Sequence, residues 1–220
     1  MIDTQSQQQG SAIIWILIAV ALFAALNFTF MGSNRSSTSI MTDQEASARA
    51  QQIIAYGNDI KVSIKKMRLR GCNETQISFE NDIISGYGNP NAPDDERCHV
   101  FSTNGAGITL NNDLSINGQS FFGDIAFEGI GSSSSELSLQ IIGIDQAVCL
   151  QINQQLNIAD SNDDDFVEDI NPAPTPFTGS YANSVSDNIG NDITSFDGQS
   201  RYCWQDSSGE FHYSQALIES

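Results

Sequence analysis

The stretch TDQEASARAQQIIAYGNDIKVSIKKMRLRG, residues 42–71, decides how the chain is read. Thr42-Asp-Gln-Glu45 has the form of a capping box, in which a hydroxyl and a carboxylate satisfy free amides at a helix start. After it, Ala46, Ala50, Ile53, Gly57, Ile60, Ile64 and Met67 recur at spacings of 4, 3, 4, 3, 4 and 3. That rhythm places them on one face of a helix, which Gly71 closes after about seven turns. The stripe reads as a helix packed on a sheet, with a coiled-coil seam as the alternative. In either case Gly57 and the small alanines allow close backbone approach.

Upstream, the polar residues 1–10 give way to an apolar run that has no polar residue from Ala12 to Leu26 and continues to Met31. Roughly 20 apolar residues suffice to span a bilayer as a helix. A discarded secretory signal would begin with basic residues and end in an Ala-x-Ala site. No Lys or Arg precedes this run, and Phe-Thr-Phe-Met-Gly follows it, so the segment reads as an anchor. Residues 32–41 are small and polar and form a linker to the amphipathic helix.

Downstream of Cys72 the period changes. TQISFE, CHVFST, GITL, FFGDIAFEG and ELSLQII are β-rich and separated by Gly, Asn, Asp and Ser clusters, the pattern of short strands. A second helix is expected from Asp145, which can cap it, to Asn157, which can end it, with Val148, Ile152 and Leu156 on one face. The NPAPTP run and the lack of periodicity make 160–198 a long surface loop. RYCW and EFHYSQALI around QDSSG predict a terminal hairpin, in which Phe211, Tyr213, Gln215 and Leu217 alternate as a half-buried strand. The fold class expected is α+β, a long N-terminal helix packed on a small antiparallel sheet. The organisation is a leader-like segment at 1–10, a transmembrane helix at 11–31, a linker and amphipathic helix at 32–71, and an acidic β-rich exterior domain at 72–220.

The 220-residue chain carries 27 acidic and 9 basic residues, and seven of the nine basic ones lie between Arg35 and Arg70. Beyond Cys72 only Arg97 and Arg201 oppose 23 acids. Such a surface repels polyanions and gains little from counterion release, so nucleic acid is not an expected partner. Cys72, Cys98, Cys149 and Cys203 all follow the apolar segment and show no CxxC spacing, which suggests two disulfides in an oxidising compartment. The pairing favoured is Cys72 with Cys98 and Cys149 with Cys203, because the first closes a loop rich in Gly, Pro and Asn; four buried free thiols are the alternative. The basic residues beyond the apolar run would by the positive-inside rule hold that side in the cytoplasm, but large domains translocate largely regardless of charge. The acidic domain is therefore placed outside the cytoplasm.

A membrane helix continued by an amphipathic helix and then a disulfide-bearing antiparallel sheet resembles the type IV pilin and type II secretion pseudopilin superfamily. Gln9-Gly10 followed by Ser11-Ala-Ile-Ile resembles a prepilin leader ending in Gly before the hydrophobic stalk. LIAVALFAAL (17–26), the HVF to NGAG stretch from His99, VCLQINQQLNI from Val148 and the final Cys-aromatic to Ala-Leu-Ile hairpin are similar to segments of bacterial pilin-like proteins. The resemblance implies cleavage between Gly10 and Ser11 by a prepilin peptidase and a single pass of the bacterial inner membrane. It also implies a C-terminal domain in the periplasm or on an extracellular filament, and association with itself or other pilin-like subunits through the N-terminal helix. Ala12, Ala19, Ala21, Ala24 and Ala25 would let helices approach, and Ile13, Ile14, Leu17 and Leu22 would supply contact area. Three positions depart from the pattern. Trp15 stands where pilins carry a helix Glu, Ser11 replaces the usual Phe or Met, and no Lys or Arg precedes Gly10. Lack of that Glu is a feature of some tip or minor pseudopilins.

Chemistry-bearing motifs are few. Asp160, Asn162, Asp164, Asp165 and Glu168 form an acidic run that lacks the Gly and terminal Glu of an EF-hand but offers oxygen ligands for weak Ca²⁺ binding; a solvated acidic loop is the alternative. His99 and His212 are read as packed or surface residues. No residue spacing indicates a nucleophile, and an enzyme is not expected. The function expected is a structural, membrane-anchored pilin-like subunit. The competing reading is a permanently anchored exterior protein that binds a cation or a protein.

Overall fold

A computed structural model describes residues 16, 20, 41–111, 113, 119–131, 135–158, 168–169, 175–181, 188–189 and 194–219. The chain divides into Met1–Met41 and Thr42–Ser220. In the first unit Ile16 and Val20 are helical and more than half exposed. The rest of the expected 11–31 span, like the 1–10 segment, lies outside the described residues. Among the described residues no helix is long and apolar enough to cross a membrane.

The second unit is α+β and begins as its sequence rhythm demands. Helix α1 spans Asp43–Leu69, 27 residues. Thr42 Oγ1 accepts from the Glu45 amide at 3.3 Å and the Thr42 amide donates to Glu45 Oε2 at 3.1 Å, the reciprocal cap predicted. All seven stripe residues, Ala46 to Met67, are buried. At the far end Gly71 adopts φ +99°, and the Cys72 amide donates back to the Met67 carbonyl at 3.1 Å, so the helix closes beside the first disulfide.

Six strands form one sheet: β1 Gln119–Phe127, β2 Glu136–Ile144, β3 Glu168–Asp169, β4 Asn188–Ile189, β5 Arg201–Asp206 and β6 Phe211–Ile218. Their order is β3-β5-β6-β2-β1-β4. The central four, β5-β6-β2-β1, are antiparallel, whereas β3 and β4 are two-residue parallel edges. Helix α2, Gln146–Gln155, follows β2 directly. Asn157 ends it in the left-handed region at φ +55°, as expected. Asp145 holds the N-cap position without a side-chain cap bond; its carboxylate lies 3.8 Å from Arg49 on α1 instead.

Both helices pack on the face of the sheet that carries Cys203, Tyr213 and Gln215. The two disulfides are Cys72–Cys98 and Cys149–Cys203, the favoured pairing. Cys149–Cys203 ties α2 to β5. One turn on, Asn153 holds the same strand: its Nδ2 donates to the Cys203 carbonyl and its Oδ1 accepts from the Cys203 amide, both at 2.8 Å. A buried side-chain amide thus replaces a neighbouring strand where β5 has none, satisfying groups that would be costly to leave unpaired.

The other face carries Ile125, Phe127, Tyr202, Trp204 and Ala216 and packs against Ile189 and Phe196. Phe196 stacks on Tyr202 at 4.2 Å, and the Tyr202 hydroxyl donates to the Ile189 carbonyl at 2.8 Å. This corrects two expectations. The 160–198 stretch is not simply a surface loop, because Phe177, Ile189 and Phe196 are buried and β3 and β4 pair along the sheet edges. In consequence β6 is buried on both faces rather than one. Single apolar residues far apart in sequence produce no period, so neither feature could be read from spacing.

A third correction concerns TQISFE, CHVFST and GITL, which form no strands. Among the described residues the one β-bridge they make is Ser78 with His99, and the Ile108 amide also donates to the Val100 carbonyl at 3.1 Å. Side chains compete with the ladder there: Asn89 Nδ2 donates to the carbonyls of Thr75 and Ile77 at 2.9 and 2.7 Å, and Asn81 Oδ1 accepts from the amides of Ile83 and Ile84. The segment is anchored by aromatic packing instead. Phe79 stacks on Phe122 of β1 at 4.4 Å, with Tyr87, Phe101 and Phe177 around it.

Candidate functional site

Two places concentrate side chains beyond ordinary core packing. The first is the crossing of α1 over β6. Gly57 faces Gln215 and Tyr213, and a Cβ there would collide with Gln215 Oε1 and lie 3.3 Å from Tyr213 Oη. The polar groups beneath it are mutually satisfied. The Tyr213 hydroxyl donates to Gln215 Oε1 at 2.7 Å, and Gln215 Nε2 and Arg201 Nη1 both donate to Asn58 Oδ1. Burial pushes the Tyr213 hydroxyl pKa up, so it remains a proton donor. The crossing is thus held by shape and by a closed hydrogen-bond set, which suits a structural role.

The second place is the turn of the β5–β6 hairpin. Asp206 and Glu210 flank Ser207-Ser208-Gly209, with the Asp206 amide donating to the Glu210 carbonyl at 2.9 Å and Gly209 at φ +85°. A three-residue loop with a left-handed glycine is a common hairpin solution. Asp206 Oδ1 accepts from the Ser208 amide, the Ser208 hydroxyl and the Glu210 amide at 2.9, 2.7 and 2.9 Å. Its other oxygen, Oδ2, lies 3.1 Å from His212 Nε2. Both side chains are 5% exposed. Burial works to raise the Asp206 pKa, but the hydrogen bonds from Ser208, Glu210 and His212 outweigh it and hold the carboxyl below its usual value. Trp204, opposite His212 across the hairpin, stacks on the imidazole at 4.7 Å and 22° and is itself fixed by an indole N–H bond to Ser214 Oγ at 2.9 Å.

The residues singled out from sequence are distributed differently. Gly10 and Ser11, and Asp160, Asn162, Asp164 and Asp165, lie outside the described residues. Of Glu168 the backbone is described, in β3, where Glu168 pairs with Gln205 and Asp169 with Asp206. The acidic run therefore ends alongside the strand that carries Asp206. His99 is half-buried at its bridge with Ser78, and His212 is packed, as expected. Sequence reading missed Asp206 and Glu210. Alternation along the two strands of a recognised hairpin sets Trp204, Asp206, Glu210 and His212 on one face, but only once the turn length fixes the register. No known protein family, curated protein or solved structure matches this chain.

Proposed function

We propose that the chain is a membrane-anchored, pilin-like structural subunit that assembles into, or associates with, a type IV pilus or type II secretion pseudopilus. The observation that carries this reading is α1, laid by a seven-residue stripe onto a four-stranded antiparallel sheet and preceded in sequence by the apolar 11–31 run. In such a subunit the apolar run would anchor the protein in the bacterial inner membrane and pack against other subunits, leaving the acidic domain in the periplasm or on the filament. Function resides in packing: the capping box, the close approach at Gly57 and the two disulfides hold the acidic domain together as one folded unit.

A photo-reactive amino acid at Ile16 or Val20 tests the assembly contact in cells that carry a pilus or secretion machinery. These two helical positions, one turn apart, share a face and are 63% and 60% exposed. Irradiation is expected to give discrete protein–protein adducts with copies of this chain or with other pilin-like subunits. Adducts to lipid alone would count against assembly and favour a permanently anchored exterior binding protein.

A further inference from the structure

The hairpin turn contains more chemistry than a β-turn requires. Asp206, Glu210 and His212 each offer a ligand atom, and these atoms lie within 4.8 Å of one another. Among the described residues this is the one grouping of three or more His, Cys or carboxylate side chains so placed. We propose that these three residues form a mononuclear site for a first-row divalent transition-metal cation, zinc being the reference case. His212 Nε2, Asp206 Oδ2 and a Glu210 carboxylate oxygen are the ligands, and water completes the shell.

Several features separate this site from a chance pair of polar groups. The 3.1 Å between Asp206 Oδ2 and His212 Nε2 suits a hydrogen bond, but it is also near the roughly 3.3 Å that separates two ligands on a tetrahedral ion with bonds of about 2.0–2.1 Å. An ion can replace the shared proton with little movement of either side chain. Asp206 is preorganised for this, because three donors hold Oδ1 and leave Oδ2 turned to the imidazole. The ring is walled by Trp204, and its buried Nδ1 has no hydrogen-bond partner. Moving the ring proton from Nε2 to Nδ1, which exposes the Nε2 lone pair to a metal, therefore breaks no bond at Nδ1. Glu210, half-buried at the turn, needs to shift by at most about 1.5 Å, from a separation within 4.8 Å, to join a shell of that size. One imidazole with two carboxylates favours a borderline transition ion over Ca²⁺, which takes an all-oxygen shell. A bound ion would pin β5 to β6 at the tip of the sheet.

Cobalt(II) titration of the full chain, purified in detergent and stripped with chelator, tests the assignment. Visible absorption reports ligation, and Zn²⁺ is then added to displace the cobalt. One Co²⁺ per chain is expected, released by Zn²⁺. Since loss of an outer-shell partner alone weakens metal sites by 10–100-fold, affinity should fall more than about 100-fold in His212→Gln and in Glu210→Gln. Far-UV circular dichroism and the intact Cys149–Cys203 bond serve as fold controls. Should His212→Gln fail to fold, Glu210→Gln carries the test, because its side chain lies at the half-buried turn. Absence of a bound ion overturns the proposal. So does affinity unchanged in the folded variants, which would move binding to the carboxylates of residues 160–169.

Discussion

Replacing Cys149 and Cys203 together by alanine is expected to lower the unfolding free energy by about 4 kcal/mol, the chain-entropy value for a loop of this length. The bridge joins residues 54 apart in sequence and ties α2 to β5. Without it the unfolded chain gains the freedom of the whole segment between them, which includes the acidic run and β3 and β4. Both cysteines are fully buried, so alanine also leaves small voids, which add to the loss. The Asn153 clamp on Cys203 remains and should preserve the native topology. Urea unfolding of the full chain in detergent is the appropriate measurement. The midpoint should drop sharply in the variant, and the wild type under reducing conditions, which loses Cys72–Cys98 as well, should fall further still. A loss below about 1 kcal/mol would mean that the bridge constrains little in the unfolded chain.

Gly57→Leu is expected to cost about 3 kcal/mol, the upper part of the range for overpacking a well-fitted contact. Glycine is ordinarily a weak point in a helix, and replacing it by alanine would gain up to about 1 kcal/mol from propensity alone. Here the sign reverses, because the new Cβ meets Gln215 Oε1. Gln215 is 1% exposed and bonded to both Tyr213 and Asn58, so it cannot retreat without breaking that set. Ala55→Leu, on the exposed side of the same turn, supplies the control and should change stability by less than about 0.5 kcal/mol. Equal behaviour of the two variants would show that α1 does not cross β6 at this point.

The reading from sequence succeeded where a single element contains its own pattern. The 42–71 helix announces its cap, its stripe and its stop within thirty residues, and the seven predicted stripe positions are the seven buried ones. The α2 helix and the strands at 119–127, 136–144, 201–206 and 211–218 were legible for the same reason, as was the disulfide pairing from the loop it closes. Legibility ended where order comes from contacts distant in sequence. Phe79 is fixed by Phe122, Phe177 by Phe79, and Phe196 by Tyr202, none of which shares an element with its partner. Between residues 73 and 111, Asn89 and Asn81 satisfy backbone groups that β-propensity alone would have assigned to strands. At the hairpin tip, the grouping of Asp206 with His212 depends on a register set by Ser207-Ser208-Gly209. The two histidines carry no metal-ligand spacing, and the three residues become neighbours only through that turn.

The proposed role rests on an N-terminal helix released from a leader and available for assembly. Mass spectrometry of the mature N-terminus, after expression with and without a prepilin peptidase, tests it most directly. A filament subunit should begin at Ser11 when the peptidase is present and at Met1 when it is absent. An intact Met1 under both conditions would contradict assembly through a processed stalk and leave the chain a permanently anchored exterior protein.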